Sequence, residues 1–217
     1  MIIKMTKCGK ISYKTKIKMK SKKEKNPEEN PKIIAVDLGC GQNKANIEFF
    51  KDNLNIPATE VIGLDHVQCD GVDIVHDLTT FPYPFEDNSI DAIHSSHFVE
   101  HLDGFERMKF FDECYRILKP GGKMRVVHPY YKSVRAIQDP THKFPPISEN
   151  SYFYWDRSWR ELNKLDHYPI TCDFEFNIYY VWQDASVANK NEETRTFSID
   201  KYWNIVADMI VDLTKRN

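Results

Sequence analysis

Short apolar runs that each end in an acidic or polar residue recur through the first half of the chain. These runs span residues 33–37, 60–65, 72–76, 89–94 and 123–128. Runs of this length predict buried strands, and the mixed segment at residues 105–118 predicts a helix. Strands that alternate with helical segments predict right-handed βαβ units and a mostly parallel sheet.

The second half of the chain follows other periods. Apolar and polar residues alternate over residues 172–182, which predicts one long strand, with residues 193–197 as its hairpin partner. Apolar residues recur every three or four positions over residues 198–215, which predicts an amphipathic helix. This helix either covers a sheet face or forms a dimer contact. The length of 217 residues fits one domain with an appendage.

The first predicted strand leads into two glycines that are one residue apart, Gly39 and Gly41. Glycines at such a turn let a ligand approach the backbone N–H groups at the start of a helix. The third glycine of the dinucleotide fingerprint is absent, because Lys44 stands in its place. Asp65 ends the second run, 24 residues after Gly41, which is near the separation at which a carboxylate reaches ribose hydroxyls. The pattern indicates a ligand that resembles a nucleotide.

Five segments carry a family resemblance. In chain order they read VDLGCG, GLD, HDL, FPYPFEDNSIDAIHSSHFVEHL and RILKPGGKMRV. Together they resemble class I S-adenosylmethionine-dependent methyltransferases of the type 11 subgroup, over roughly residues 32–130. The resemblance implies an α/β fold with a Rossmann-like, doubly wound, mostly parallel seven-stranded sheet that contains one antiparallel strand. It also implies that S-adenosylmethionine lies across the carboxyl ends of the strands.

The resemblance implies a role for each strand end. The glycine turn admits the methionine part of the cofactor and Asp37 helps to orient it. Asp65 accepts hydrogen bonds from the ribose hydroxyls, and the adenine lies against the Asp77 carboxylate and the Leu78 backbone. The residues that the resemblance assigns to the cofactor are Asp37, Gly39, Cys40, Gly41, Asp65, His66, Asp77, Leu78 and Ser95.

Three histidines are candidate catalytic bases, namely His97, His101 and His142, and His128 is a weaker candidate. A base assists transfer to a hydroxyl, whereas an amine acceptor needs none. Residues 97–101 also match H-x-x-E-H, the inverted zinc-protease pattern. The same five residues fit the segment after the fourth strand in type 11 methyltransferases, and no distant third ligand can be identified from the sequence. We therefore assign no metal ligand.

Motifs that the sequence lacks exclude some classes of methyl acceptor. The residues after the fourth run read SSHF, without the D/N-P-P-Y/F pattern of DNA methyltransferases that act on exocyclic amines. The phrase QDPTHKFPPIS resembles a version of the family that is associated with surface-glycan pathways. We therefore expect direct methyl transfer to a hydroxyl or amine of a small molecule or glycan. A nucleic-acid or protein acceptor, or a cofactor-binding module without catalysis, remains the alternative.

Charge divides the chain into two predicted parts. Residues 1–25 hold ten lysines and one glutamate, whereas the whole chain has a net charge of −2. We predict a basic arm and linker at residues 1–31 and a methyltransferase domain at residues 32–217. The arm is a candidate contact for nucleic acid, although a solvating role without a partner explains it as well. Residues 130–168 are predicted to form a substrate lid, in which His142 and the aromatic residues 152–155 line the acceptor pocket.

Cysteine usage and hydropathy indicate the compartment. The five cysteines are scattered and form no C-x-x-C pair, which predicts reduced thiols and no zinc knuckle. No apolar run approaches the ~18–20 residues of a membrane span, and no signal peptide is visible. We therefore expect a cytoplasmic protein without a membrane partner, either a monomer or a homodimer.

Overall fold

The apolar runs of the first half form the parallel part of a sheet, as predicted. A computed structural model describes residues 31–217, and the predicted basic arm, apart from its last residue, lies outside this range. The strands are β1 (Ile34–Leu38), β2 (Glu60–Asp65), β3 (Ile74–Val75), β4 (Ile90–Ser96), β5 (Leu118–Pro129), β6 (Phe174–Trp182) and β7 (Val206–Lys215). Their order across the sheet is β3-β2-β1-β4-β5-β7-β6. β7 runs antiparallel to both of its neighbours, whereas the other pairs are parallel. The predicted fold class is confirmed.

Helices fill the connections between these strands. They are α1 (Ile47–Leu54), α2 (Gly104–Ile117), α3 (Arg135–Gln138), α4 (Glu149–Phe153), α5 (Arg157–Leu162), α6 (Ala185–Ala188) and α7 (Glu192–Lys201), with a 3-10 turn at Val99–His101. The start of α2 is fixed by a capping box, because the Asp103 side chain accepts from the Glu106 N–H at 2.9 Å and the Glu106 carboxylate accepts from the Asp103 N–H at 2.8 Å. The predicted helix at residues 105–118 is thus found with a shift of one residue.

The strand order creates a crevice between β1 and β4. The chain moves outward from β1 to β2 and β3, and then returns to the other side of β1 with β4 and β5. Ligands of open α/β sheets bind at the carboxyl ends of the strands where the order reverses in this way. Asp37, Asp65 and Ser95 lie at or near the carboxyl ends of β1, β2 and β4, so the topology brings the predicted cofactor residues to one edge of the sheet.

Two predictions for the second half are wrong. Residues 198–215 do not form one helix, because α7 ends at Lys201 and β7 begins at Val206. Residues 193–197 lie in α7 and are not a strand. β7 is an inner strand, and its Met209, Val211 and Leu213 are fully buried at a period of two. The antiparallel partner of β6 is therefore β7. The prediction of one long strand at residues 172–182 is confirmed by β6.

His128, the weaker base candidate, is enclosed within the fold. The side chain is 0% exposed, its Nδ1–H donates to the Pro129 carbonyl at 2.9 Å, and its ring stacks on Tyr152 with an interplanar angle of 11°. Burial lowers the pKa of His128 to about 4. The imidazole therefore cannot reach either cavity described below, and it is held neutral.

This burial predicts a loss of stability in mild acid. Because the folded pKa of His128 lies below the unfolded value of ~6.5, the contribution is present above pH ~6.5 and is lost as the pH falls towards 4, up to ~3 kcal/mol. Urea titrations between pH 7 and pH 4.5 should show a smaller loss in His128→Phe than in the wild type. The exposed His167→Ala is the control. Parallel curves for the wild type and His128→Phe would contradict the buried neutral state.

Four of the five cysteines lie within the described residues. Cys40, Cys69, Cys114 and Cys172 are free thiols, whereas Cys8 lies outside the described residues. Among residues 31–217, no helix has both the length and the apolar character needed to cross a bilayer.

Candidate active site

The glycine turn after β1 forms one wall of the crevice. The N–H groups of Gly39 and Cys40 both donate to the Leu64 carbonyl, at 2.8 and 3.2 Å, so the turn is held against β2. Gly39 has a φ of +76° and a Cβ there would lie 3.1 Å from the Cβ of Phe98. Glycine is required because this backbone conformation is strained for other residues and because a side chain would fill the gap.

Asp37 lies behind the glycine turn, on the side away from the crevice. Its carboxylate accepts from the Ala45 N–H at 2.7 Å and from His94 Nδ1 at 3.0 Å, and the residue is only 2% exposed. These bonds position the loop that leads into α1. The structure therefore places Asp37 as a residue that holds the turn, and its carboxylate does not border the cavity described below.

Asp65 holds two loops while it faces the crevice. Oδ2 accepts from the Gly41 N–H at 3.0 Å, and Oδ1 accepts from the Val67 N–H at 3.0 Å. His66 Nδ1 lies 3.1 Å from the same Oδ1. The carboxylate is thus oriented by the backbone on both sides and is fixed where a ribose would lie.

Asp77 presents a second oriented carboxylate. Oδ1 accepts from the N–H and the hydroxyl of Thr79, at 2.9 and 2.8 Å, and these bonds hold the pKa of Asp77 below its usual value. Among the described residues, the hydrogen bonds to the Asp77 carboxylate all use Oδ1. Oδ2 of an ionised carboxylate is thus left to accept from a ligand amine.

These groups surround one cavity of about 470 Å³. Its lining residues are Gly39, Asp65, His66, Asp77, Leu78, His97, Phe98, His101 and Thr141. Five of the nine residues assigned to the cofactor therefore border one space together with two of the three candidate bases. The volume of the cavity is large enough for a ligand about the size of a nucleotide.

The remaining predicted cofactor residues lie behind the lining. Gly41 contributes its N–H to Asp65, while Cys40 and Ser95 are buried. Burial raises the pKa of Cys40 to about 12, so this thiol is not a nucleophile at neutral pH. The fully buried Ser95 Oγ has no hydrogen-bond partner within the described part of the chain.

His97 lies at the border of the cavity in a strained conformation. Its φ of +53° is in the left-handed region, which is uncommon for residues other than glycine and recurs at functional sites. Nδ1 lies 3.3 Å from Glu100 Oε1, and this hydrogen bond raises the pKa of His97. Burial works to raise the pKa of Glu100, but the bonds from His97 and from its own backbone bring it below the usual value. Glu100 therefore orients the His97 ring and raises its affinity for a proton.

A smaller cavity of about 190 Å³ adjoins the first one. Its lining residues are His97, Glu100, His101, Pro129, Arg135, Gln138, Asp139 and His142. His97 and His101 line both cavities. The structure thus brings the three predicted bases together at one junction, where His101 and His142 meet edge to face with ring centroids 4.8 Å apart.

Arg107 holds the segment that carries His142, and sequence reasoning missed it. Its guanidinium donates to the carbonyls of Val99, Pro145 and Lys143, at 3.0, 2.7 and 3.3 Å. The residue is 7% exposed and burial lowers its pKa. The available signal was its position on the apolar face of α2, three residues before the buried Phe110.

The aromatic residues of the predicted lid do not line either cavity. Tyr152 and Trp155 are 1% and 5% exposed, and Trp155 stacks on Phe111 with ring centroids 4.5 Å apart. Tyr152 and Trp155 join the core, whereas Phe153 is exposed, and the prediction that residues 152–155 line the acceptor pocket stays a prediction. His142 does border the predicted acceptor side, while the lid at residues 130–168 stays a prediction.

The fold is a Rossmann-like α/β domain whose cavity lies at the carboxyl ends of its parallel strands. Residues 36–126 match the family model described as a methyltransferase domain. The predicted resemblance to type 11 methyltransferases is therefore confirmed for this segment of the chain.

A curated relative extends the match in sequence. The probable S-adenosylmethionine-dependent methyltransferase from Mycolicibacterium smegmatis is 34% identical over 104 residues, which are 43% of this chain and 37% of that protein. The chain therefore covers little more than a third of the length of this relative.

Solved structures share the fold at low sequence identity. A SAM-dependent methyltransferase from Archaeoglobus fulgidus has a TM-score of 0.58 and 20% identity over 85% of this chain and 86% of that one. The complex between the Haloferax volcanii Trm112 methyltransferase activator and a putative methyltransferase contains a chain with a TM-score of 0.53 and 16% identity, with 85% and 83% covered. The [4+2]-cyclase SpnF has a TM-score of 0.50 and 17% identity, with 85% and 76% covered. Because one of these proteins is described as a cyclase, the reaction has to be argued from the site.

Proposed function

We propose that this protein binds S-adenosylmethionine in the 470 Å³ cavity and transfers its methyl group to a hydroxyl or amine of a small molecule or glycan. The observation that carries the proposal is one cavity in which the glycine turn and two oriented carboxylates meet the histidines. When bound, the cofactor supplies a methyl group that its sulfonium already activates. The residues of the chain orient the two reactants and exclude water.

The cavity residues fit the parts of this cofactor. Asp65 would accept from the ribose hydroxyls, and Asp77 Oδ2 would accept from the exocyclic amine of adenine. Gly39 leaves room beside the turn for the methionine part, since even a Cβ would lie 3.1 Å from Phe98. The ribose hydroxyls and the exocyclic amine of the nucleoside thus each have a partner, which lowers the cost of burying them.

The adjoining 190 Å³ cavity fits the acceptor. Its lining is polar and carries both charges, because Arg135 and Asp139 lie there together with the histidines. A ligand with several hydroxyl groups, such as a sugar, satisfies more of these groups than an apolar ligand does. His97 is oriented by Glu100 at the junction, where it would accept the proton of an acceptor hydroxyl.

Binding and transfer assays test this proposal. Calorimetry should detect S-adenosylmethionine binding and no comparable NAD binding. Transfer of a radiolabelled methyl group should then be measured to sugars, sugar nucleotides, small amines, polynucleotides and a basic protein. Labelling of a small acceptor supports the proposal, and labelling of polynucleotide or protein alone would favour the alternative acceptor class. Binding of NAD in place of S-adenosylmethionine would overturn the proposal.

A further inference from the structure

Three side chains at the junction of the two cavities form a compact set of potential metal ligands. One ligand atom from each of Glu100, His101 and His142 lies within 4.8 Å of the others. Ligand atoms around an ion at 2.0–2.2 Å are about 3–4 Å apart, so small rotations of the two half-buried imidazoles are enough to close the set. The H-x-x-E-H pattern thus contributes its last two residues, while the further ligand comes from a segment 41 positions later.

The hydrogen bonds of His101 fix which nitrogen is available. Thr141 Oγ1 lies 2.7 Å from Asp139 Oδ1 and 3.0 Å from His101 Nδ1. The ionised carboxylate can only accept, so the single hydroxyl hydrogen of Thr141 points to Asp139. Nδ1 of His101 must then be the donor to Thr141, and the lone pair of the neutral ring lies on Nε2.

His142 is oriented in the same way by the backbone. Its Nδ1 lies 3.1 Å from the Ala136 carbonyl oxygen, which only accepts, so Nδ1 carries the proton. Nε2 of His142 is therefore also a free lone pair. Histidine ligands of metal ions commonly donate their other ring N–H to a carbonyl or a similar acceptor, which fixes the tautomer.

The carboxylate of Glu100 points to a cation independently of the spacing of the three side chains. The residue is 6% exposed and borders the smaller cavity. Oε1 pairs with His97, but Oε2 is buried without any hydrogen-bond partner in the described range. An unpaired buried carboxylate oxygen is costly, and a cation offsets that cost.

We propose that Glu100, His101 and His142 bind a divalent transition-metal ion, for which Zn²⁺ is the natural probe. Two imidazole nitrogens and one carboxylate oxygen suit Zn²⁺ and its neighbours better than Mg²⁺ or Ca²⁺, which prefer oxygen ligands. Three protein ligands leave at least one position open, as in catalytic zinc sites.

The position of the metal site between the two cavities indicates a role in catalysis. This role rests on the proposed function. His101 lines both the cofactor cavity and the acceptor cavity, so an acceptor hydroxyl in the smaller cavity can occupy the open position. Coordination would lower the pKa of a bound hydroxyl, and His97, which lines both cavities, would take its proton. Methyl transfer then forms one O–C bond and breaks the S–C bond, whose electron pair stays on sulfur. Hydroxyl acceptors are therefore favoured over amines.

Metal binding can be measured without any activity. The untagged full-length chain is treated with EDTA, dialysed and titrated with Zn²⁺ by calorimetry, and Co²⁺ absorption reports the ligand field. One ion per chain is expected. Glu100→Gln and His142→Ala should each weaken Zn²⁺ binding by at least about 100-fold, and Thr141→Val by about 10–100-fold because the tautomer of His101 is no longer fixed.

Controls separate a metal site from general histidine binding and from unfolding. His167→Ala, at an exposed histidine away from the cluster, should bind as the wild type does, and thermal unfolding without metal should show that each variant is folded. Thr141→Val serves if a ligand variant does not fold. Less than one equivalent of Zn²⁺ bound at 0.1 mM, or equal binding by the wild type, Glu100→Gln and Thr141→Val, would overturn the site.

The two proposals fail in different ways. S-adenosylmethionine affinity is measured in EDTA, where the metal site contributes nothing. If the cofactor binds but Zn²⁺ does not, the proposed function stands and the metal site falls. If Zn²⁺ binds at the three ligands but S-adenosylmethionine does not bind, the metal site stands and the proposed function falls.

Discussion

Replacement of Asp65 by alanine is expected to weaken S-adenosylmethionine binding by about two to four orders of magnitude. Two ribose hydroxyls would lose a charged acceptor, and each such hydrogen bond contributes ~1.5–3 kcal/mol. The change also removes the acceptor of the Gly41 N–H at 3.0 Å, so the glycine turn loses one of its supports. Calorimetric titration of the variant with the cofactor measures the loss.

A matched pair of variants isolates the ribose contacts. Asp65→Asn keeps an oxygen that can accept from the Gly41 backbone but removes the charge, so it should retain the turn and lose part of the affinity. Asp52→Ala removes an exposed carboxylate on α1 and should leave the affinity unchanged. Unchanged affinity in Asp65→Ala would remove this residue from the cofactor site.

Replacement of Gly63 by alanine is expected to lower the free energy of unfolding by ~3 kcal/mol or more. A Cβ on Gly63 would lie 2.4 Å from the Gly71 carbonyl oxygen and 2.8 Å from Cys40 Sγ. The first contact is with backbone, so the loop after β2 must move, and overpacking of this kind costs ~1–3 kcal/mol or more. Because Asp65 follows two residues later, cofactor affinity should fall as well. Urea denaturation measures the first effect.

Gly104→Ala is the control for that substitution. Gly104 is the first residue of α2, and a Cβ there meets no atom within 4 Å. Alanine restricts the unfolded chain and favours the helix, so a gain of up to ~1 kcal/mol is expected. Equal destabilisation by both substitutions would show that the close approach to Gly71 is not what requires glycine at position 63.

The parallel half of the fold was predictable because local sequence carries its signal. Strand β1 is buried on both faces and therefore appears as an almost continuous apolar run, and β2 and β4 begin as similar runs. The C-terminal half was harder, because the apolar residues Val206, Met209, Ile210 and Leu213 fit a helical face as well as a strand. Burial alternates over residues 209–215 of β7, but the half-buried face also carries the apolar Ile210, so the sequence lacks the strict apolar–polar alternation that would have distinguished a strand from a helix.

The cofactor side and the acceptor side of the candidate site also differ in how far the sequence could predict them. The residues around the predicted cofactor follow directly after strands, so their positions could be read from short motifs. The acceptor side is built across 36 or more positions, where Arg107 anchors Lys143 and Pro145, and Thr141 orients His101. Such contacts leave no periodic trace, which is why the sequence suggested His142 but not the residues that place it.

The position of β7 has a consequence for the order in which the sheet is completed. β6 comes first in the chain, yet it lies at the sheet edge and pairs only with β7 among the described strands. β6 therefore cannot be protected against hydrogen exchange until residues 206–215 have been added. The two strands form a hairpin that docks on β5 as one unit, so their amides should share a single opening event.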